Sequence, residues 1–193
     1  MKPAHQIIMP RHLIRAALIS VCLLASGCAT VREETCEQFE ANRKIANYAT
    51  QYVLSKTDTD AVVNSSKPLP RKTSAAVHSY RLHVDPAAIK PCHHLVLHKE
   101  LSLQLSAGMK QTLEEVREIY TADGALVATK AEIISGQIHS TGYYTSEARL
   151  PIPENTPAGE YRLISKIVMK TKKKSQAVVL ARTSVNFQVL SRQ

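Results

Sequence analysis

The residues of this chain best equipped for chemistry are its histidines and a run of lysines. Six histidines lie beyond residue 27: His78, His83, His93, His94, His98 and His139. In Cys92-His93-His94-Leu95-Val96-Leu97-His98 the leucines occupy one phase of a two-residue period, so His94, Val96 and His98 occupy the other, outward one. His83 holds the outward phase of the preceding segment, and antiparallel pairing of the two segments would set it opposite His94. His83, His94 and His98 therefore form a candidate Cu²⁺ or Zn²⁺ site, because neutral imidazole is a good ligand for both ions. Ordinary solvent-facing histidines explain the same pattern more simply. Lys170, Lys172, Lys173 and Lys174 crowd a single turn. They suit contact with anionic lipid head groups or a polyanion, or they serve only to keep a solvated turn from pairing with a foreign strand.

Nothing else in the sequence has a catalytic spacing. It contains no Gly-x-Ser-x-Gly elbow, zinc-protease helix, phosphate-binding glycine loop or paired-cysteine knuckle. The expectation is a protein that is not an enzyme and needs no cofactor beyond such a metal. Over 193 residues the chain is 44% hydrophobic and 21% charged, which fits a globular domain rather than a disordered one. It has no tryptophan and two phenylalanines, so Leu, Ile, Val and a few Tyr must build the core.

The N-terminus is organised for export. Lys2, Arg11 and Arg15 precede an apolar run over residues 16–25, and Ser26 and Gly27 are small. That is the layout of a secretory signal, and the run is about half the roughly 20 residues of a membrane-spanning helix. Leu24-Ala25-Ser26-Gly27-Cys28 resembles the lipobox of bacterial lipoproteins, although the family more often has Leu where Ala25 stands. The resemblance implies a signal peptide over residues 1–27, a diacylglyceryl group on Cys28, and a short anchor segment over residues 28–33. Ala29, where a retained protein would carry Asp, implies the outer membrane. Each buried CH₂ contributes about 0.8 kcal/mol, so several chains make attachment effectively permanent. Removing Lys2, Arg11 and Arg15 lowers 25 basic residues to 22 against 16 acidic ones, and the net charge from +9 to +6. That excess favours anionic surroundings without being concentrated enough for nucleic acid.

Of four cysteines, Cys22 leaves with the signal and Cys28 carries lipid. Cys36 and Cys92 remain, and an oxidising compartment predicts one disulfide between them, two free thiols being the alternative. Residues 34–55 lack Gly and Pro, and Phe39, Ile45, Ala46, Ala49, Tyr52 and Val53 recur largely at helical steps. They predict an amphipathic helix packed on its own domain, or one that binds a partner or lies on a membrane. Residues 56–73, with Pro68 and Pro70, predict a linker.

From residue 74 to 193 the period is two. Leu95, Leu97, Leu101, Leu103 and Leu105 keep one phase, broken only by Lys99. Asp123-Gly124 between two alternating runs is a hairpin signal, and Gly136 and Gly142 suggest a bulge or bend. About seven strands result, an all-β sandwich. Residues 150–161 (LPIPENTPAGEY) resemble a connection common in bacterial immunoglobulin-like and macroglobulin-like domains. The resemblance implies an immunoglobulin-like sandwich and no particular activity. The functional expectation is an outer-membrane-anchored, periplasm-facing lipoprotein that acts as a non-catalytic interaction or assembly accessory and binds a protein partner of the cell envelope. The alternative is a metal- or ligand-binding module that uses the surface histidines.

Overall fold

A computed structural model describes residues 34–108, 111–171 and 174–192. The signal, Cys28, Lys172 and Lys173 lie outside them. The first element is helix α1 (Cys36–Ile45), opened by a capping box in which Thr35 and Gln38 satisfy each other's backbone N–H groups. It stops well short of the 34–55 helix that periodicity predicts. Asn47 Oδ1 accepts the Ala49 N–H at 3.1 Å, a local bond that competes with helix continuation. The chain then enters strand β1 (Gln51–Ser55), which buries Tyr52. The apolar residues that read as one helical face thus serve different elements: Phe39 is buried under α1, Ile45 is 85% exposed, and Tyr52 enters the sandwich.

The expected linker is also partly helical. Helix α2 (Lys56–Ser65) buries none of its residues, so it carries no apolar stripe to announce it. Contacts at its first turn hold it in place. Thr59 Oγ1 donates to the Ser55 carbonyl at 2.6 Å and accepts the Tyr143 N–H at 3.1 Å. A Cβ on Gly142 would lie 2.6 Å from Leu54 Cδ1 and 2.9 Å from Thr59 Oγ1, so a larger residue here would require the Leu54 and Thr59 side chains to shift.

The remaining strands are β2 (Ala75–Asp85), β3 (Ala88–Ile89), β4 (His93–Leu105), β5 (Thr112–Thr121), β6 (Leu126–Ile133), β7 (Gly142–Ile152), β8 (Gly159–Thr171) and β9 (Lys174–Val189). They form an all-β sandwich of two sheets, ordered β1-β7-β4-β2 and β3-β9-β8-β5-β6. Every pairing is antiparallel except the two-residue β3–β9 ladder. The excess over seven strands comes from the short β1 and β3. A bulge at His78 reverses the phase of β2, so Ala75 and Val77 face inward before it, and Tyr80, Leu82 and Val84 after it. The β5–β6 hairpin turns at Gly124, whose φ of 86° favours glycine. No helix of the described residues is long and apolar enough to cross a membrane.

The interior is divided. One apolar cluster contains Leu95, Leu97, Leu163, Phe187 and Val189, and a second contains Leu101, Leu103, Leu113, Tyr144 and Ile167. Outside the sandwich, Cys36 and Cys92 are joined by a disulfide with their Cα atoms 5.2 Å apart. It ties the first residue of α1 to the residue preceding β4, where Cys92 sits at φ 63° and donates its N–H to the Ile152 carbonyl at 2.8 Å.

Closing a loop of 56 residues' separation stabilises by about 2–4 kcal/mol. The double change Cys36→Ser/Cys92→Ser should lower the unfolding free energy by that amount in urea titrations. Without reductant, thiol labelling of the wild-type protein should leave both residues unmodified. Quantitative labelling of the pair would contradict the crosslink.

Candidate functional site

The layer between the two apolar clusters is polar. On β4 the inward series runs Leu95, Leu97, Lys99, Leu101, Leu103, and on β8 it runs Leu163, Ser165, Ile167. On β5, Leu113 and Ile119 flank Glu115 and Arg117. Lys99, Glu115 and Ser165 are at most 1% exposed. Lys99 Nζ donates to Glu115 Oε1 and Oε2 at 2.8 and 2.9 Å and to Thr50 Oγ1 at 2.9 Å, and it lies 5.4 Å from the centre of the Tyr52 ring. Glu115 also accepts from Tyr52 Oη at 3.1 Å, Ser165 Oγ at 2.8 Å and Tyr80 Oη at 3.3 Å. The carboxylate of one sheet is therefore bound by three strands of the other and by one neighbour of its own.

The network continues toward β6. Arg117 Nη2 donates to Glu132 Oε2, and its Nε lies 3.9 Å from Glu115 Oε1. Glu132 accepts the Thr50 N–H and Oγ–H at 3.3 and 3.0 Å, and Lys130 Nζ stands 3.0 Å from it. Burial pushes the Lys99 ammonium down to about 8, against the pull of Glu115. Burial alone would raise the Glu115 carboxyl, but Lys99 and Arg117 hold it below the usual carboxylate range. Both groups are therefore ionised at neutral pH. Burial keeps the Tyr52 and Tyr80 hydroxyls protonated, so both act as donors to Glu115. In the sequence Lys99 reads only as an interruption of the leucine series; the signal of the polar layer is opposite charges in the inward phase of two strands.

The expected histidine site does not assemble as predicted. His83 pairs in register with His98 rather than His94, and their ring centres are 6.3 Å apart on the outer face of the four-stranded sheet. His94 lies four residues further along β4, under α1. Its ring packs 4.8 Å from that of Phe39, and its Nε2 is 3.0 Å from Tyr48 Oη. β2 and β4 begin pairing at Asp85 and Val96, so the strand end containing His94 lies beyond the β2 ladder. Among the described residues, no group of three or more His, Cys, Asp or Glu is placed to hold a metal. Of the lysine cluster, Lys170 is paired with Glu114 at 2.6 Å on the outer face of the other sheet. Lys174 begins β9.

No known protein family matches the chain, and no curated protein does. Solved structures with similar backbones include the C-terminal domain of wzt, at 13% identity over 63% of this chain and 77% of that one, with a TM-score of 0.46. The Pseudomonas fluorescens alkylpurine DNA glycosylase AlkC, bound to DNA containing an abasic-site analogue, is 16% identical over 62% of this chain and 31% of its own, at TM-score 0.39. A CARDB domain from Pyrococcus furiosus in complex with di-metal ions is 9% identical over 60% of this chain and 91% of its own, at 0.33. No activity passes from these to this chain.

The buried pair makes a stability prediction with a defined sign. Glu115 is held below its ordinary value, so the stability it contributes is present above about pH 4.5 and is lost as pH falls through its lower folded value. Lys99 is also held below its ordinary value, so its slope has the same sign: its share of stability likewise rises with pH, between about 8 and 10.5. Lys99→Met strands a buried carboxylate and should cost about 3–5 kcal/mol at pH 7. Adding Glu115→Leu should cost less than the sum of the two single changes by about 2–3 kcal/mol in a double-mutant cycle. Additive losses would mean that the two groups do not interact.

Proposed function

We propose that this chain is a lipid-anchored, non-catalytic interaction module of a bacterial cell envelope, held at the outer membrane through Cys28, which recruits a protein partner along an open sheet edge. The export layout and the lipobox resemblance support the anchor. The observation that carries the interaction role is strand β6. It is the last strand of its sheet, and all of its residues except Glu132 are exposed. Leu126, Val127 and Ile133 are 54%, 54% and 65% exposed. An edge strand with unpaired backbone groups and exposed apolar side chains is suited to adding a strand from another protein. Apolar residues clustered on an exposed element commonly mark an interaction surface.

A photo-crosslinking residue in place of Val127, in the full chain within intact cells, should capture a stoichiometric envelope protein. The same residue in place of Thr183, on β9 of the same sheet, should not. Cys28→Ser should release the protein from the membrane fraction. Equal labelling from both positions, or no adduct at all, would remove β6 as the docking edge, and unchanged sedimentation of Cys28→Ser would remove the anchor.

A second reading rests on the His83–His98 pair, with Glu147 in register beside His98 on β7. Two imidazoles on adjacent strands suit Cu²⁺ or Zn²⁺. Titration calorimetry with either ion should then give heat that His98→Ala abolishes. Dilution heat alone would dismiss the metal.

A further inference from the structure

Strand β1 pairs with β7 only from Tyr143 to Glu147. Among the described residues, no strand lies beside this β7 edge beyond Glu147, and the sandwich is open on that side between β7 and β6. A cavity of about 350 Å³ lies there, within the size range of small-ligand sites. Its floor is the sandwich interior itself. Leu97 and Leu163 from the two facing sheets are 0% and 1% exposed, and Ile119 and Leu150 complete the apolar wall. Ala46 and Ala128 stand at the lining where longer side chains would fill the space.

Arg117, Lys130 and Arg149 line the cavity. Glu132 sits against both Arg117 and Lys130, and Lys130 Nζ also donates to the Tyr48 carbonyl at 2.6 Å. Counting Lys99 and Glu115 behind them, four cations meet two carboxylates, which leaves the opening positive. Arg117 is 5% exposed; its Nε–H makes no hydrogen bond among the described residues, Glu115 Oε1 standing 3.9 Å away. An incompletely satisfied buried guanidinium is costly, and Arg117 is one of the residues lining the cavity.

We propose that this cleft binds a single-chain amphiphile with an anionic head, the chemistry of a medium-chain fatty carboxylate: the alkyl chain lies on Leu97, Leu150 and Leu163, and the head is held by Arg117, Lys130 and Arg149. The cleft shares Ala128 and Lys130 with β6 and so adjoins the proposed docking edge, but decanoate binding and partner crosslinking are separate readouts, and neither the cleft nor its test depends on the lipid anchor. Charge complementarity fixes the sign of the head, and the apolar floor requires a chain rather than a small inorganic anion.

The test is calorimetry on the full chain carrying Cys28→Ser in detergent-free buffer. Decanoate should bind with one-site stoichiometry, whereas decanol and decyltrimethylammonium should bind at least about tenfold more weakly. Lys130→Gln/Arg149→Gln changes two cavity-lining residues outside the apolar floor and should weaken decanoate by at least about tenfold while leaving the thermal melt in place. Ala128→Trp should block the chain and abolish binding. Equal affinity for decanoate and decanol, no saturable decanoate heat, or full binding by the double variant would each overturn the proposal.

Discussion

Lys99 and Glu115 meet between two sheets, out of contact with water, and the register of the sandwich depends on that meeting. Desolvating two charges is expensive, and attraction offsets the cost only when the remaining donors and acceptors are also satisfied. Here they are: the ammonium makes contacts to Glu115 and Thr50, and the carboxylate gathers Tyr52, Tyr80 and Ser165 as well. A one-residue slip of β4 against its neighbours would turn Lys99 to the outside and its flanking leucines with it. It would leave Glu115 buried without its ammonium. Apolar packing alone tolerates substitution and shift; this pair tolerates one alignment, and five strands contribute to it.

The same layer shapes the open side of the molecule. Thr50, just before β1, binds both Lys99 and Glu132, so the chain leaving α1 is pinned to the polar layer as it enters the sheet. Because β1 is only five residues long, it covers one half of the sandwich's flank and leaves the other to the segment around Tyr48. Arg117 and Lys130 reach that gap from the network, with Arg149 facing them from β7. Above it, α1 is fastened by the Cys36–Cys92 bridge and by Phe39 against His94. The helix thus covers the end of β4 while β6 remains exposed.

What could be read from residues alone follows the strength of the local pattern. The alternation of β4 and β9 and the Asp123-Gly124 turn rest on strong short-range rules, and the all-β sandwich follows from them; the Cys36–Cys92 pairing follows instead from counting the cysteines left in an oxidising compartment. The helix over residues 34–55 failed because Tyr52 and Val53 satisfy helical spacing and strand alternation equally, and only the docking of Tyr52 on Glu115 decides between them. Helix α2 was illegible because it has no buried face. The partner of His83 was misplaced because register depends on where pairing starts, which the loop between β2 and β4 conceals. The polar layer was half visible: Lys99 stood among leucines, but its meaning required Glu115 from a strand in the opposite sheet.

The most direct test of this account is the titration of the Lys99 side chain itself. In protein labelled with ¹⁵N-lysine, the Lys99 resonance, assigned by its loss in Lys99→Met, should show an ammonium protected from exchange at neutral pH and a midpoint near 8. A rapidly exchanging signal that titrates with surface lysines near about 10.4 would place Lys99 in water and contradict the charged layer on which the register rests.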